Sequence, residues 1–365
     1  MPEQRSVFRL TDGNSILLDL IRGFSAQAVV FGHALFFFGI IGLDTDPGVL
    51  VVQNFAVLIF FVLSGFLISY STANKIRRRE DYGFRTYFID RFARIYVTLL
   101  PALFIVLVLD TISRQLYPTA YVYEASFNLT TFLGNLLMLQ DIPGVPQLIG
   151  QPLTSFGSGQ PLWTLAIEWW IYMFFGWCLL RIFLPAERRW TDWAILIPLL
   201  VVPSFNTWGG KGNGLMITWL MGSLAYLVIE AGYLKVVTRK QSLLLAGWLT
   251  VLGIIRFWKT GKEFDPILAF LATAVILLMV HFFATVTWPR LLAWFSRTNA
   301  AFSYTLYLTH YSVLELMRMH FGDSLSPWTL VLLGMVISTL IAAPIGLYVE
   351  TTLTAKVKAY LYRQF

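Results

Sequence analysis

Three ionisable side chains, Asp19, Arg22 and His33, interrupt the apolar run LLDLIRGFSAQAVVFGHALFFFG. A charged side chain at the centre of a membrane-length helix costs roughly 2.5–3.5 kcal/mol, and an inert anchor has no reason to carry one. At about 100° per residue, the steps from Arg22 to His33 return almost to the same face, and Asp19 lies one turn before Arg22. One stripe therefore holds an acid, a guanidinium and an imidazole. It must look at other protein or a polar cavity, not at lipid.

Four other segments add to the set. YFIDRFARIY places Arg91 and Arg94 three apart on one face, two guanidinium forks that suit phosphate or pyrophosphate, or serve as interfacial charge. PLWTLAIEWWIYMFF carries Glu168 in an apolar helix, with Tyr172 one turn on. AAFSYTLYLTHYSV sets Ser303, Tyr307 and His310 at i, i+4 and i+7, a polar stripe in an apolar helix. In NFAVLIFFVLSGFLIS the Ser64-Gly65 pair lets another helix, or a ligand, approach the backbone closely. Histidine is the natural base near neutral pH. Buried Asp, Arg, Glu and His equally form the relay of a proton-coupled transporter. His281 and His320 read as interfacial.

The elements that must position these residues are membrane helices. Of the 365 residues 57% are apolar and 13% charged, against about 25% charged in soluble domains. Apolar runs fall at about 15–42, 48–73, 92–113, 161–184, 192–205, 214–231, 241–258, 265–286, 301–320 and 328–350. The fifth is short for a span of about 20 residues. Threading ten spans with the N-terminus inside puts twenty of the 27 Lys and Arg on that side, from Arg5 to Arg363, and six on the other. That is the positive-inside pattern, and it explains the net charge of +7 without nucleic acid. The expected fold is all-α and polytopic, about ten transmembrane helices with both termini cytoplasmic. Residues 1–365 form one integral membrane domain, with no appended soluble domain. The single cysteine, Cys178, excludes a disulfide framework and a cysteine metal site, and no metal is expected. Residues 114–160 form the long outer loop, functional or disordered, whose patch Phe132 to Leu139 is apolar enough to re-enter the membrane.

Taken in order, LDLIRGFSAQAVVFGH, FFVLSGFLIS, FIDRFARIYVTLLP, PLWTLAIEWWIY and SYTLYLTHY resemble the acyltransferase-3 family of integral membrane acyltransferases along nearly the whole chain. The resemblance implies transfer of an acyl group, commonly acetyl, from cytoplasmic acyl-CoA to a hydroxyl of a cell-surface or exported glycan, such as an exopolysaccharide or lipopolysaccharide. It implies a multi-pass protein of the inner membrane, with acetyl-CoA as donor substrate and no permanently bound cofactor. By motif match Arg22 and His33 are the first-helix pair, Arg91 and Arg94 the donor-side basic motif, and Glu168 the tryptophan-glutamate motif. Thr164 stands where the family usually has serine, and Val97 follows Tyr96 where it often has proline.

On that footing His33 deprotonates the acceptor or briefly accepts the acyl group, and Glu168 orients it. Asp19 holds Arg22 toward the donor or the oxyanion. Arg91, Arg94, Ser64 and Gly65 bind the donor, and Trp163, Tyr172, Ser303, Tyr307 and His310 wall the cavity. On the ten-span threading Glu168 and His33 both lie in the outer half, where they can meet. Arg22 and His33, ~16 Å apart along a helix, cannot serve one atom. The alternative is a proton-coupled transporter or flippase, against which stand the ordered motifs and the missing internal repeat. Oligomeric state, acyl length and the acceptor hydroxyl are not written in these motifs.

Overall fold

The computed structural model describes residues 8–41, 52–185, 187–260 and 262–364. Arg5, residue 42 and residues 48–51, which belong to the expected inner tail and the first two expected spans, lie outside the described residues. Among the described residues every regular element is helical. In chain order they are α1 (Asp12–Phe37), α2 (Val52–Arg78), α3 (Phe84–Leu116), α4 (Leu129–Leu136), α5 (Val145–Ile149), α6 (Leu162–Trp177), α7 (Trp190–Trp208) and α8 (Leu215–Glu230). Then follow α9 (Arg239–Lys259), α10 (Pro266–Phe283), α11 (Arg290–Phe321), α12 (Pro327–Gly346) and α13 (Thr354–Gln364). π-helical turns extend α6 through Cys178–Phe183 and join α12 to α13 through Leu347–Leu353.

A helix lies on each of the ten expected apolar runs. Seven segments are long and apolar enough to cross a bilayer unaided: α1, α2, α3, α6 with its π turn, α9, α10, and α12 with its continuation. The other three differ for physical reasons. α8 is apolar but 16 residues long, below the usual span of about 17–25. α7 is continuous over its 19 residues, but Asp192, Pro198, Pro203 and Asn206 dilute its apolar run. α11 carries Arg290 and Arg297 at its exposed start, Glu315 and Arg318 near its end, and between them the buried polar stripe Ser303, Tyr307 and His310, in a helix packed against α1, α3 and α12. Large apolar side chains such as Phe104, Leu244, Trp248, Ile254, Phe270, Leu332 and Leu340 point outward and are exposed. That is the surface a bilayer solvates.

Close backbone approach sets the frame. A Cβ on Gly65 would stand 1.9 Å from the Trp219 carbonyl oxygen, and one on Gly222 would stand 2.0 Å from that of Val62. The Ser64-Gly65 pair is thus split: the glycine locks α2 to α8 and leaves the serine to face inward. Gly23 does the same for α1, where an added Cβ would meet Asn299 of α11 at 2.8 Å.

The long loop is built, not open. Asn128 caps α4 by accepting from the Thr131 amide at 2.9 Å, and α4 holds residues 132–136 of the apolar patch 132–139. Buried Asp110 of α3 accepts from the Ser158 amide at 2.7 Å, from the Tyr121 hydroxyl at 3.0 Å and from the Ser158 hydroxyl. Those bonds fasten the loop's two ends to the bundle.

Candidate active site

A cavity of about 530 Å³ lies between α2, α3, α6 and α11. The size falls within the range of about 300–1,000 Å³ usual for small-ligand sites. Its charged lining is Arg22, Arg91, Arg94 and Lys358 against Asp90 and Glu168. Asp90 sits at the end where α13 crosses the mouth. Its buried carboxylate pairs with Lys75 and Lys358 and accepts from the hydroxyls of Tyr82 at 3.2 Å and Tyr362 at 2.7 Å.

The arginines are held with capacity to spare. Arg22 pairs with Asp19 at 2.9 Å. Arg94 pairs with Glu350 at 3.2 Å and lies over the Tyr304 ring, while Arg91 lies over the rings of Tyr87 and Tyr172. Nε of both Arg22 and Arg91 is buried without a hydrogen-bond partner. Guanidinium groups fixed in this way are ready for a ligand with several oxyanions.

Beside Arg91 the lining holds a hydrogen-bonded cluster around Glu168. Ser64 donates to Glu168 at 3.2 Å, lies 2.8 Å from the Tyr172 hydroxyl, and accepts from Trp219 Nε1 at 3.0 Å. Tyr172 also donates to Glu168. Buried Tyr307 shares a 2.7 Å hydrogen bond with Thr164, so the threonine in the serine position holds the wall. Tyr304 lines the cavity with a buried hydroxyl that has no hydrogen-bond partner.

Neither His33 nor His310, the latter expected as cavity wall, lines this cavity: the imidazoles stand beyond Tyr307. His33 Nδ1 lies 2.9 Å from His310 Nε2, and the two rings stack at 5.1 Å. His310 Nδ1 lies 3.0 Å from the Leu306 carbonyl, and the Tyr307 ring is 6.1 Å from that of His310. A carbonyl only accepts, so His310 Nδ1 carries the proton, and in the neutral ring its Nε2 accepts. His33 Nδ1 must then donate, which leaves the lone pair of His33 on Nε2. This assignment follows from the partners, as it must when hydrogens are not seen.

The structure brings together Arg22, Ser64, Arg91, Arg94, Glu168, Tyr172, Ser303 and Tyr307 at one cavity. Asp19 supports it through Arg22. Glu168 does not pair with His33 as the threading allowed: Glu168 bonds to Ser64 and Tyr172, and His33 to His310. Gly65 packs against α8, and Trp163 lies beneath Lys211 near Phe264 at the far end. Sequence reasoning passed over Asp90, Tyr304, Glu350 and Lys358. Asp90 sits beside Arg91 in the very motif that was read, and Glu350 is a lone acid closing the last apolar run. Glu350 was findable as a charge without a local partner; Asp90, with Arg91 beside it and Arg94 one turn on, was masked by those neighbours. His281 bonds the Val237 carbonyl and His320 approaches Tyr117, both at helix ends.

A bundle of apolar helices around a charged, cation-rich cavity defines a multi-pass membrane protein with a polar interior. The acyltransferase-3 family model, described as an acyltransferase domain, matches residues 16–347, and the chain belongs to that family. It is therefore a membrane acyltransferase in general terms. No curated protein and no solved structure matches it significantly.

Proposed function

We propose that this protein moves an acyl group, acetyl in the simplest case, from an acyl-CoA to a hydroxyl of a cell-surface or exported glycan. It would do so from the inner membrane, with both termini cytoplasmic. The observation that supports the reading is one cavity that gathers Arg22, Arg91, Arg94 and Lys358 beside the polar cluster of Ser64, Glu168 and Tyr172, with Tyr307 on its wall. The donor's phosphates lie against Arg22, Arg91, Arg94 and Lys358, and its thioester arm runs along the cavity. The Tyr304 hydroxyl, which has no other partner, donates to the oxyanion as it forms, while Ser64 and Tyr172 keep donating to Glu168. The acceptor oxygen attacks the thioester carbon, so a C–O bond forms and the C–S bond breaks. Its proton passes to Nε2 of His33 and on to the departing thiolate. His310 holds the tautomer and touches neither substrate.

The test uses inverted membrane vesicles with their native glycans and radiolabelled acetyl-CoA. Label entering the glycan fraction, released by mild base and lost in His33→Ala and Glu168→Gln, supports the reading. Glycan that changes sides without ever taking label would make the chain a transporter or flippase instead.

A further inference from the structure

A second cavity, of about 610 Å³, lies at the opposite end of the bundle, between the loop 140–154, α6 and α7. It is separate from the arginine-lined cavity: Thr164, Glu168 and Tyr172 of α6 line the one, while Ala166 and Ile167 line the other. Two of its lining side chains, Gln140 and Asn206, are 1% and 4% exposed, and each has a buried amide oxygen with no hydrogen-bond partner. Their orientation is not free. Gln140 Nε2 donates to the Leu162 carbonyl at 2.8 Å, and Asn206 Nδ2 donates to the Lys211 carbonyl at 2.7 Å. Turning either amide over would set oxygen against oxygen, so both present acceptors only. Buried acceptors of this kind call for O–H or N–H donors.

The rest of the wall says which donors. Its charged side chains are Asp141 and Lys211, which pair with each other at 2.9 Å and leave no net charge for an ionic ligand. Pro143, Pro146, Pro152 and Phe205 supply rigid C–H surface. The backbone beside Gln140 is strained at Met138, whose φ of 57° is a left-handed conformation that residues other than Gly, Asn and Asp seldom adopt, while Asp141 takes its φ of 58° more readily. That strain is fixed in place by Trp170 donating to the Met138 carbonyl at 2.7 Å and by the Asp141 amide donating to Leu153 at 2.8 Å. Hydroxyl donors on one side, C–H faces on the other and no charge describe a sugar ring.

We infer that this cavity binds hydroxyl groups of a neutral saccharide, with the amide oxygens of Gln140 and Asn206 as its acceptors. It is a docking subsite for the acceptor chain, apart from the reacting atoms, and it rests on the glycan reading above. The purified protein in detergent is titrated by calorimetry with neutral hexose oligosaccharides, and with the same sugars fully O-methylated. O-methylation keeps the ring shape and removes every hydroxyl donor. Two variants are run beside the wild type: Asn206→Leu, which removes one acceptor, and Val202→Phe, which fills the cavity and leaves both amides intact. Each is checked for a wild-type unfolding temperature. The expected result is saturable binding of the free sugars, none of the methylated ones, and a loss of about tenfold or more in affinity in both variants. No saturable binding to wild type, equal binding of the methylated sugars, or wild-type affinity in folded Val202→Phe would each overturn the site. Acetyl-CoA titration and label transfer report the proposed function separately. Transfer with no saccharide binding sinks only this site, and saccharide binding with no transfer sinks only the proposed function.

Discussion

Replacing His310 with alanine removes two hydrogen bonds, the one to the Leu306 carbonyl and the 2.9 Å contact that gives His33 Nδ1 its acceptor. The Nδ1–H would then be a buried donor without a partner, at about 1–3 kcal/mol. A neutral imidazole escapes that penalty by moving its proton to Nε2, which is the nitrogen the reaction needs free. The same energy is therefore the bias that keeps the lone pair on Nε2. At about 1.4 kcal/mol per tenfold in rate, it corresponds to a loss of ~5- to ~150-fold in kcat. KM for the donor stays put, because the arginine-lined end of the cavity is untouched. His310→Gln, whose amide oxygen accepts at much the same place, recovers most of the rate. The assay is the initial rate of label incorporation into the glycan fraction of inverted vesicles, across a range of acetyl-CoA concentrations. His310→Ala at the wild-type rate, or a raised KM with unchanged kcat, would refute the tautomer argument. A glutamine variant as slow as the alanine would mean that His310 acts by bulk alone.

Two further outcomes follow from the packing. Glu350→Gln leaves Arg94 without its buried carboxylate, and breaking such a pair typically costs about 3–5 kcal/mol. The unfolding temperature in detergent should fall sharply, and an unchanged transition would remove the ion pair from the stability account. Gly222→Ala drives a Cβ to 2.0 Å from the Val62 carbonyl oxygen, so α2 and α8 must part, at about 1–3 kcal/mol or more. Gly247→Ala, with open space around it, is the control and should leave the transition where it is.

The helices were legible because apolar periodicity and charge asymmetry are local signals, and the ten expected runs each carry one. What those signals do not carry is which spans are sealed inside. α11 is too polar to pass as a span on composition because its Ser303, Tyr307 and His310 stripe lines or adjoins the cavity. The arginine cluster was readable from Arg22, Arg91 and Arg94, since guanidinium groups in apolar helices need a reason. The partner of His33 was not. Helical phase showed which face it used, but the choice between Glu168 and His310, 277 positions away, is made by how α1 lies along α11. Lys358 falls among the inner-side charges of the ten-span threading, and its place in the cavity lining beside Asp90 agrees with that side. Only the fold of α13 back onto α3 reveals it.

The π-helical turn Leu347–Leu353 sets the phase of everything after it. A π turn holds one residue more than the α-helix it interrupts, and each residue is worth about 100° of rotation. Glu350 sits within that extra turn and reaches Arg94 and Thr305. Downstream, Lys358 and Tyr362 arrive on the face of α13 that meets Asp90. Take one residue out, and α12 would run on as a plain α-helix with α13 turned by about a quarter revolution. Both contacts would swing away together. The turn thus works as an indexing device: it couples the anion beside Arg94 to the cation at the cavity mouth, so that neither drifts in register without the other.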